Sequence, residues 1–361
     1  MTALKQNLVD TGMKKCLSCG ANMIFDPDKQ KLYCPHCESM VELSFNVKAR
    51  EIDIRTAFQS ERTWESDTVT NVFSCENCGA KVVFAEGESA KSCPFCGTAH
   101  VTKLEDLSGI KPSAILPFGF GVKKAVELSK KWAGRSLFAP RSFKKSLNPS
   151  DIKGVYVPAF TFDSVTTSTY SGKIGKRRTR VVGYGKNRRT ETYIEWRYIS
   201  GTFYGNYDDI LISSGEKIDQ AKLNKLMPYE TSQCSNYEEN FLLGFMAYHY
   251  DKNVERCWED AKAIIDADLK RAILRQYSFD MMSYLNVSTI HERVTFKYVM
   301  LPVYTGLFKY SKNNYNFYIN GRTGKVTGKR PISPLKVILS VLLGAATLGL
   351  IGYLLYLSGV F

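Results

Sequence analysis

Eight cysteines constrain this chain more than any other feature. Cys16-x-x-Cys19 is followed after fourteen residues by Cys34-x-x-Cys37, and Cys75-x-x-Cys78 is followed after fourteen residues by Cys93-x-x-Cys96. Overlaying the two sets at an offset of 59 also matches Gly20 with Gly79, Ala21 with Ala80, Phe25 with Phe84 and Pro35 with Pro94, so the chain carries an internal repeat. Two Cys-x-x-Cys hairpins present four thiolates tetrahedrally at ~2.3 Å from one zinc, the zinc-ribbon arrangement. Modules this short bury little apolar surface and need the metal to fold. The expected cofactor is zinc, two ions: one on Cys16, Cys19, Cys34 and Cys37, the other on Cys75, Cys78, Cys93 and Cys96. Iron competes, because rubredoxin-like knuckles offer the same tetrahedral sulfur. Catalytic zinc is disfavoured, since four thiolates leave no coordination position for water. Gly20, Gly79 and Gly97 suit the sharp turn after a knuckle. His36 reads as a bystander, and Cys234 and Cys257 as buried small side chains.

The second constraint is Val337 to Leu357, which contains no charged side chain. Twenty-one residues at ~1.5 Å each cover about 32 Å, the thickness of a bilayer core. Lys325, Lys329, Arg330 and Lys336 precede it, and positive residues stay in the cytoplasm. The expectation is a single-pass, tail-anchored protein of the cell membrane with its N-terminal bulk cytoplasmic. No apolar segment opens the chain to suggest a secretory signal. Reducing cytosol in turn argues against disulfides.

The net charge is +14, but it is local. Lys173, Lys176, Arg177, Arg178, Arg180, Lys186, Arg188 and Arg189 form one segment without an acid, and nine more basic residues lie between Arg293 and Lys336. The two segments carry +17 and leave −3 for the rest of the chain. The segment abutting the apolar helix suits anionic headgroups, worth ~1 kcal/mol per Lys or Arg. The first segment reads as a lipid- or partner-binding surface, against the alternative of a merely solvated run.

These signals divide the chain into a first zinc ribbon (1–47), a connector (48–70), a second ribbon (71–104), an α+β domain (110–331) and a transmembrane helix (335–357). The fold class expected is α+β multidomain. After the first ribbon, Val41, Leu43, Phe45 and Val47 alternate as a closing strand, and the connector has weak helical periodicity through Ile54, Ala57, Phe58, Glu61 and Arg62. In the α+β domain a helix begins at Val122, with Gly134 as its stop, and a strand, GVYVPAFTF, ends at Asp163. Thr166 to Tyr170 and Thr190 to Tyr198 form a hairpin whose tip is the first basic segment. Lys252 to Gln276 is the clearest helix, and strands follow at Val294 to Tyr304 and Leu307 to Tyr310, with Asn313-Asn314 as a turn. The order helix, extended run with a central proline (Pro158, Pro302), hairpin occurs twice, consistent with duplication or coincidence.

Twin four-cysteine ribbons, then GVYVPAFTFD, LPVYTGLFKY, YNFYINGRTGKVTG (Tyr315 to Gly328), Pro331 and a closing membrane helix resemble a group of bacterial membrane-anchored twin zinc-ribbon proteins. This is the YdjG type, often labelled primosomal-helicase-like or TFIIB-type zinc-ribbon proteins. The resemblance implies a membrane-anchored adaptor that works with a flotillin-like (SPFH-domain) protein and helps bring phage-shock protein A to the membrane under envelope stress. The helicase label brings no ATPase, because no Gly-x-x-x-x-Gly-Lys-Ser/Thr loop is present.

The residues themselves suggest binding over catalysis. None of the histidines sits in a nucleophile signature. Gly172-Lys173-Ile174-Gly175-Lys176 imitates a phosphate loop but falls in a hairpin, and the pairs Asp208-Asp209 and Glu238-Glu239 read as solvated carboxylates. The expectations are therefore no enzyme, no small-molecule substrate, and a membrane and proteins as partners. The alternative is a membrane-tethered nucleic-acid binder, because the Arg-rich hairpin is interleaved with Tyr184, Tyr193 and Trp196.

Overall fold

The computed structural model describes residues 15–43, 49–56, 72–83, 93–98, 101–104, 110–135, 138–140, 152–310 and 313–358. Phe45, Val47, Ala57, Phe58, Glu61, Arg62, Phe84 and His100 lie outside them. Strands β1 (Ile24–Asp26), β2 (Lys31–Tyr33) and β3 (Met40–Glu42) form the antiparallel sheet of the first ribbon. After β4 (Ile52–Asp53), strands β5 (Val72–Cys75), β6 (Lys81–Val83) and β7 (Val101–Leu104) form the second. The body follows: β8 (Ala114–Ile115), α1 (Val122–Gly134), β9 (Ile152–Val182), β10 (Arg189–Ser213), α2 (Gln220–Leu226), β11 (Ser235–Asn236), β12 (Met246–Tyr248), α3 (Val254–Arg275), β13 (Met281–Tyr310), β14 (Asn313–Asn320), β15 (Val326–Gly328) and α4 (Pro334–Leu357). The molecule is mixed α and β and rich in sheet.

Two strands of about thirty residues dominate. β9 has 31 residues and β13 has 30, and they pair antiparallel from Ile152↔Gly306 to Gly175↔Met281. At ~3.3 Å per residue β9 has a contour of about 100 Å. Its sequence changes character along that length. From Val155 to Phe162 every residue is buried, the signature of a strand covered on both faces. From Ser164 to Ile174 only alternate residues are buried: Ser164, Thr166, Ser168, Tyr170, Gly172 and Ile174. Here one face alone is covered, by α3, whose Trp258 lies 5.5 Å from Phe162 and whose Ile273 packs with Tyr170, Ile174 and Ile199. We call this half-covered part, built from the outer reaches of β9, β10 and β13, the blade.

The expected end of a strand at Asp163 is therefore overturned, and the strand expected to begin at Val294 begins at Met281. Bulges let the partners turn without ending β9. The register with β10 shifts between Tyr207 and Ile210, and that with β13 between Glu292 and Thr295. Asp209 (φ 52°) and Arg293 (φ 50°) adopt left-handed conformations there. Two bulges at one level of β9 increase twist and bend the sheet where the blade leaves the body. Asn313 and Asn314 also prove to be strand residues, paired with Tyr310 and Lys309. Gly134 is the last helical residue, and the cap, Arg135, remains right-handed (φ −68°).

The repeated helix–proline–hairpin order is a structural repeat. β12 pairs in parallel with β9 at Val155 and Tyr156, and β8 pairs in parallel with β13 at Val299 and Met300, 144 positions on. β10 begins pairing at Ala159 and β14 at Val303, again 144 apart. Each half is short strand, helix, long strand, return strand, and each short strand lies beside the long strand of the other half. Pro158 and Pro302 sit where one neighbour ends and the next begins, so neither removes a ladder bond from a continuous neighbour.

The ribbons dock on this sheet. The first contributes Cys16, Met23, Phe25, Leu32 and Cys34 to the core that holds Tyr156, Phe160 and Phe162. Its Phe25 N–H donates to the Leu243 carbonyl (2.9 Å), and Gln30 Nε2 donates to the Phe118 carbonyl (2.7 Å). The second ribbon contributes Cys75, Val82, Cys93 and Phe95 to the core on the other face, with Val155, Val157 and Ala159. Its β6 pairs with β12, making its strands continuous with the main sheet. The connector begins as a strand, β4, on β13 at Thr295 and Phe296.

Candidate metal centres and the basic blade

The four knuckles are built alike. In each, the first cysteine N–H donates to the carbonyl five residues on and its own carbonyl accepts from the N–H four residues on, as in Cys16 N–H to Ala21 O and Gly20 N–H to Cys16 O, both 2.8 Å. The pattern repeats at Cys34, Cys75 and Cys93. It requires a left-handed residue after each second cysteine: Gly20 (φ 73°), Gly79 (φ 69°), Gly97 (φ 77°) and, in the one non-glycine case, Glu38 (φ 63°).

These turns bring the thiols together. Within each set the four Sγ atoms lie within 4.8 Å of one another. Cys16 and Cys37 are 3.4 Å apart, Cys19 and Cys34 3.5 Å, Cys75 and Cys96 3.5 Å, and Cys78 and Cys93 3.6 Å. A tetrahedron of sulfurs ~2.3 Å from its centre has edges of about 3.8 Å, so the residues present fit a zinc ion. The electrostatics divide the thiols. Burial raises Cys78 and Cys93. At Cys19 the Ala21 backbone hydrogen bond is outweighed by Cys37, burial and Cys34, which push the thiol up to about 12. Cys16, Cys37 and Cys96 are instead held down. Hydrogen bonds from the Ser18 and Cys19 backbone hold the Cys16 thiol down to about 6. Burial raises Cys96, but the Thr98 backbone and side chain outweigh it and bring that thiol to about 6. N–H groups aimed at sulfur favour the thiolate that a metal needs. Both four-cysteine clusters can thus hold zinc. The two differ in exposure: Cys19 and Cys37 are exposed, whereas Cys78 and Cys96 are half-buried.

The expected basic tip is redistributed. Lys173, Lys176, Arg177, Arg178 and Arg180 lie within β9, Lys186 and Arg188 in the turn, and Arg189 opens β10. The segment has no acid of its own, yet its partner strand supplies two. Arg178 pairs with Glu195 (2.8 Å), while Arg180 and Arg189 pair with Glu191 (3.4 and 2.9 Å). Lys173 lies 5.7 Å from the ring centre of Trp196 and 5.2 Å from that of Tyr198, and Arg180 lies 5.4 Å from Tyr193. Arg177, Lys186 and Arg188 form no side-chain ion pair among the described residues. Gly172 to Lys176 is strand, paired with β10 throughout and with β13 as far as Gly175, which removes the phosphate-loop reading.

Of the pair Asp208-Asp209 taken as solvated, Asp208 is exposed and Asp209 turns out to be structural. The bulge residue Asp209 forms an ion pair with Lys297 (2.7 Å) and accepts from Thr231 (2.6 Å), while its N–H donates to Asp163 (2.6 Å). Thr295 donates to Glu51 (2.9 Å), and Lys297 reaches Glu51 at 3.5 Å. Burial pushes the Asp163 carboxyl up to about 6. Asp163, Asp208 and Asp209 cluster closely enough for a metal, but Lys297 already supplies the cation. Lys297 therefore leaves the membrane-proximal basic set. Nothing in the sequence identified this network, because its members are scattered from residue 51 to residue 297.

At the far end of the long strands from the blade tip stands α4. Pro334–Leu355 is long and apolar enough to cross a membrane. Arg330 stacks 4.2 Å from the Trp132 ring centre, Trp132 lies 5.8 Å from Phe317, and Phe317 pairs with Gly306, the level of Ile152. Lys336 Nζ donates to the Ala139 carbonyl (2.6 Å).

Two four-cysteine centres, an interleaved repeat of long strands and one apolar C-terminal helix define the class of molecule. The chain is similar to the uncharacterized protein YdjG of Bacillus subtilis (strain 168), a homologue 29% identical over 335 residues that make up 90% of this chain and 91% of the relative. No family model matches the chain. No solved structure matches it.

Proposed function

We propose that this protein is a zinc-binding adaptor anchored in the cell membrane by α4, with its N-terminal bulk in the cytoplasm, that assembles with a flotillin-like (SPFH) partner and helps recruit phage-shock protein A under envelope stress. The observation that carries an adaptor reading is the separation of its two ends. One end of β9 is linked through Phe317 and Trp132 to Arg330, in the segment leading into the apolar helix, and the other carries the blade's cations ~100 Å of contour away. Such a molecule displays surface at a distance from its anchor and works by presenting it to other proteins. The choice of partners rests on the sequence resemblance, and the lack of enzymatic activity belongs to the same proposal.

A second reading, nucleic-acid binding, is favoured by the aromatic rings set among the blade's cations, a combination that also stacks bases. Affinity purification from detergent-solubilised membranes separates the two. Recovery of an SPFH protein and phage-shock protein A, unaffected by nuclease, supports the adaptor. Loss of all partners on nuclease treatment overturns it.

A further inference from the structure

The blade has two long edges, and they differ in charge. β10, on one side, carries Arg189, Glu191, Glu195, Arg197, Asp208 and Asp209. On the other side, β13 from Met281 to Ile290 carries no charge, in a chain of net charge +14. Among the described residues this stretch pairs only with β9, whereas farther along β13 meets β4, β8 and β14. Natural edge strands are usually guarded by charge, proline or a bulge. Tyr284 to Ile290 has no charge and no proline, and the two bulges of β13 flank it, between Met282 and Tyr284 and between Glu292 and Thr295.

Its side chains are also left unexplained by the fold. Leu285, Val287 and Thr289 turn toward α3 and are half-buried, while Tyr284, Asn286, Ser288 and Ile290 are exposed on the open face. Tyr284 is 40% exposed and Ile290 62%. In an antiparallel pairing of this edge with itself about Val287, each Tyr284 falls opposite Ile290 of the other copy and each Asn286 opposite Ser288. Both exposed apolar residues then gain a cross-strand neighbour, and the polar pair can hydrogen-bond. The same arrangement points the two basic tips in opposite directions, away from each other, and so avoids the repulsion a parallel pairing would create.

We propose that Tyr284 to Ile290 is an interaction surface for a second copy of this chain, joined edge to edge into a six-stranded sheet in the order β10-β9-β13-β13-β9-β10. The test is the mass of the full-length protein in detergent across a dilution series, for the wild type, for Asn286→Lys/Ser288→Lys, and for Ser200→Lys/Thr202→Lys. The last pair sits in the same rows on the opposite edge, through Ser171 and Thr169. All four positions are exposed, so the fold tolerates lysine. The wild type and the β10 variant are expected to be dimers, and the β13 variant to dissociate at concentrations at least tenfold higher. Far-ultraviolet circular dichroism and zinc content, unchanged in the variants, confirm that folding is intact. A monomeric wild type, a dimer that survives the β13 substitutions, or one lost through the β10 substitutions overturns the proposal.

Discussion

At Cys93, metal binding and folding are one problem. The residue is buried beside Phe95, which meets Tyr248 at 5.0 Å, and the Pro94 carbonyl accepts from Thr305 (2.9 Å). Cys93→Ser is expected to lower bound zinc from two ions to one per chain and to destabilise the body as well as the ribbon, because β6 is a strand of the main sheet. Metal analysis with thermal denaturation checks this; two zinc ions retained, or a red iron chromophore in the wild type, would contradict it. Lys297 is the other residue on which much depends. Lys297→Met leaves Asp209, Asp163 and Glu51 without their cation and should cost about 2 kcal/mol at neutral pH, less than the ~3–5 of a fully buried pair because Glu51 is part-exposed. Asp163, held up at about 6, contributes stability below pH ~4 that fades as pH rises through 6. The variant should therefore lose less stability at pH 5 than at pH 7.5, which denaturant titration at both values measures. The knuckle residues were legible in the sequence because their spacing is local. The Lys297 network was not, since it is assembled from five separate segments.

Among the elements, α3 was the easiest to read and the blade the hardest. Val254, Cys257, Trp258, Ala261, Ile265, Leu269 and Ile273 form its buried stripe, all seven visible as helical periodicity, with Asn253 capping the first turn. Trp258→Ala removes contacts with Phe162 and His291 and should cost about 3–4 kcal/mol, read as a fall in melting temperature. The hairpin was visible as alternation, but its length was not. A strand that passes from two-sided to one-sided burial looks like two strands, and the bulges that let it continue are set by Asp209 and Arg293, which carry no glycine signal. The blade's charge belongs to this scale too. Replacing Lys176, Arg177, Lys186 and Arg188 with alanine leaves the Glu191 and Glu195 pairs intact and should weaken binding to the partner or to anionic vesicles at least tenfold, given ~1 kcal/mol per cation near a charged surface. Added salt should weaken the wild type in the same direction. Binding unchanged on both counts would mean a solvated surface.

For the whole molecule, the sequence separated ribbons, body and apolar helix, and the structure joins them. The ribbons lie on opposite faces of one sheet, and the linker to α4 is pinned by Arg330 on Trp132 and by Lys336 on Ala139. Docking of this kind depends on contacts such as Phe25 with Phe241 (5.3 Å), which no local pattern announces. The repeat at an offset of 144 was only hinted at by its two prolines, since the matching lies in strand register and hardly in residue identity. If α4 fixes where partners assemble, removing it should spare the folded body and abolish recruitment. The most direct measurement is the distribution of fluorescent phage-shock protein A in stressed cells that carry either the full chain or a chain lacking Leu335 to Phe361. The account predicts membrane foci with the full chain and diffuse cytoplasmic signal with the truncated one, which remains folded and zinc-loaded; foci that persist without the helix would contradict it.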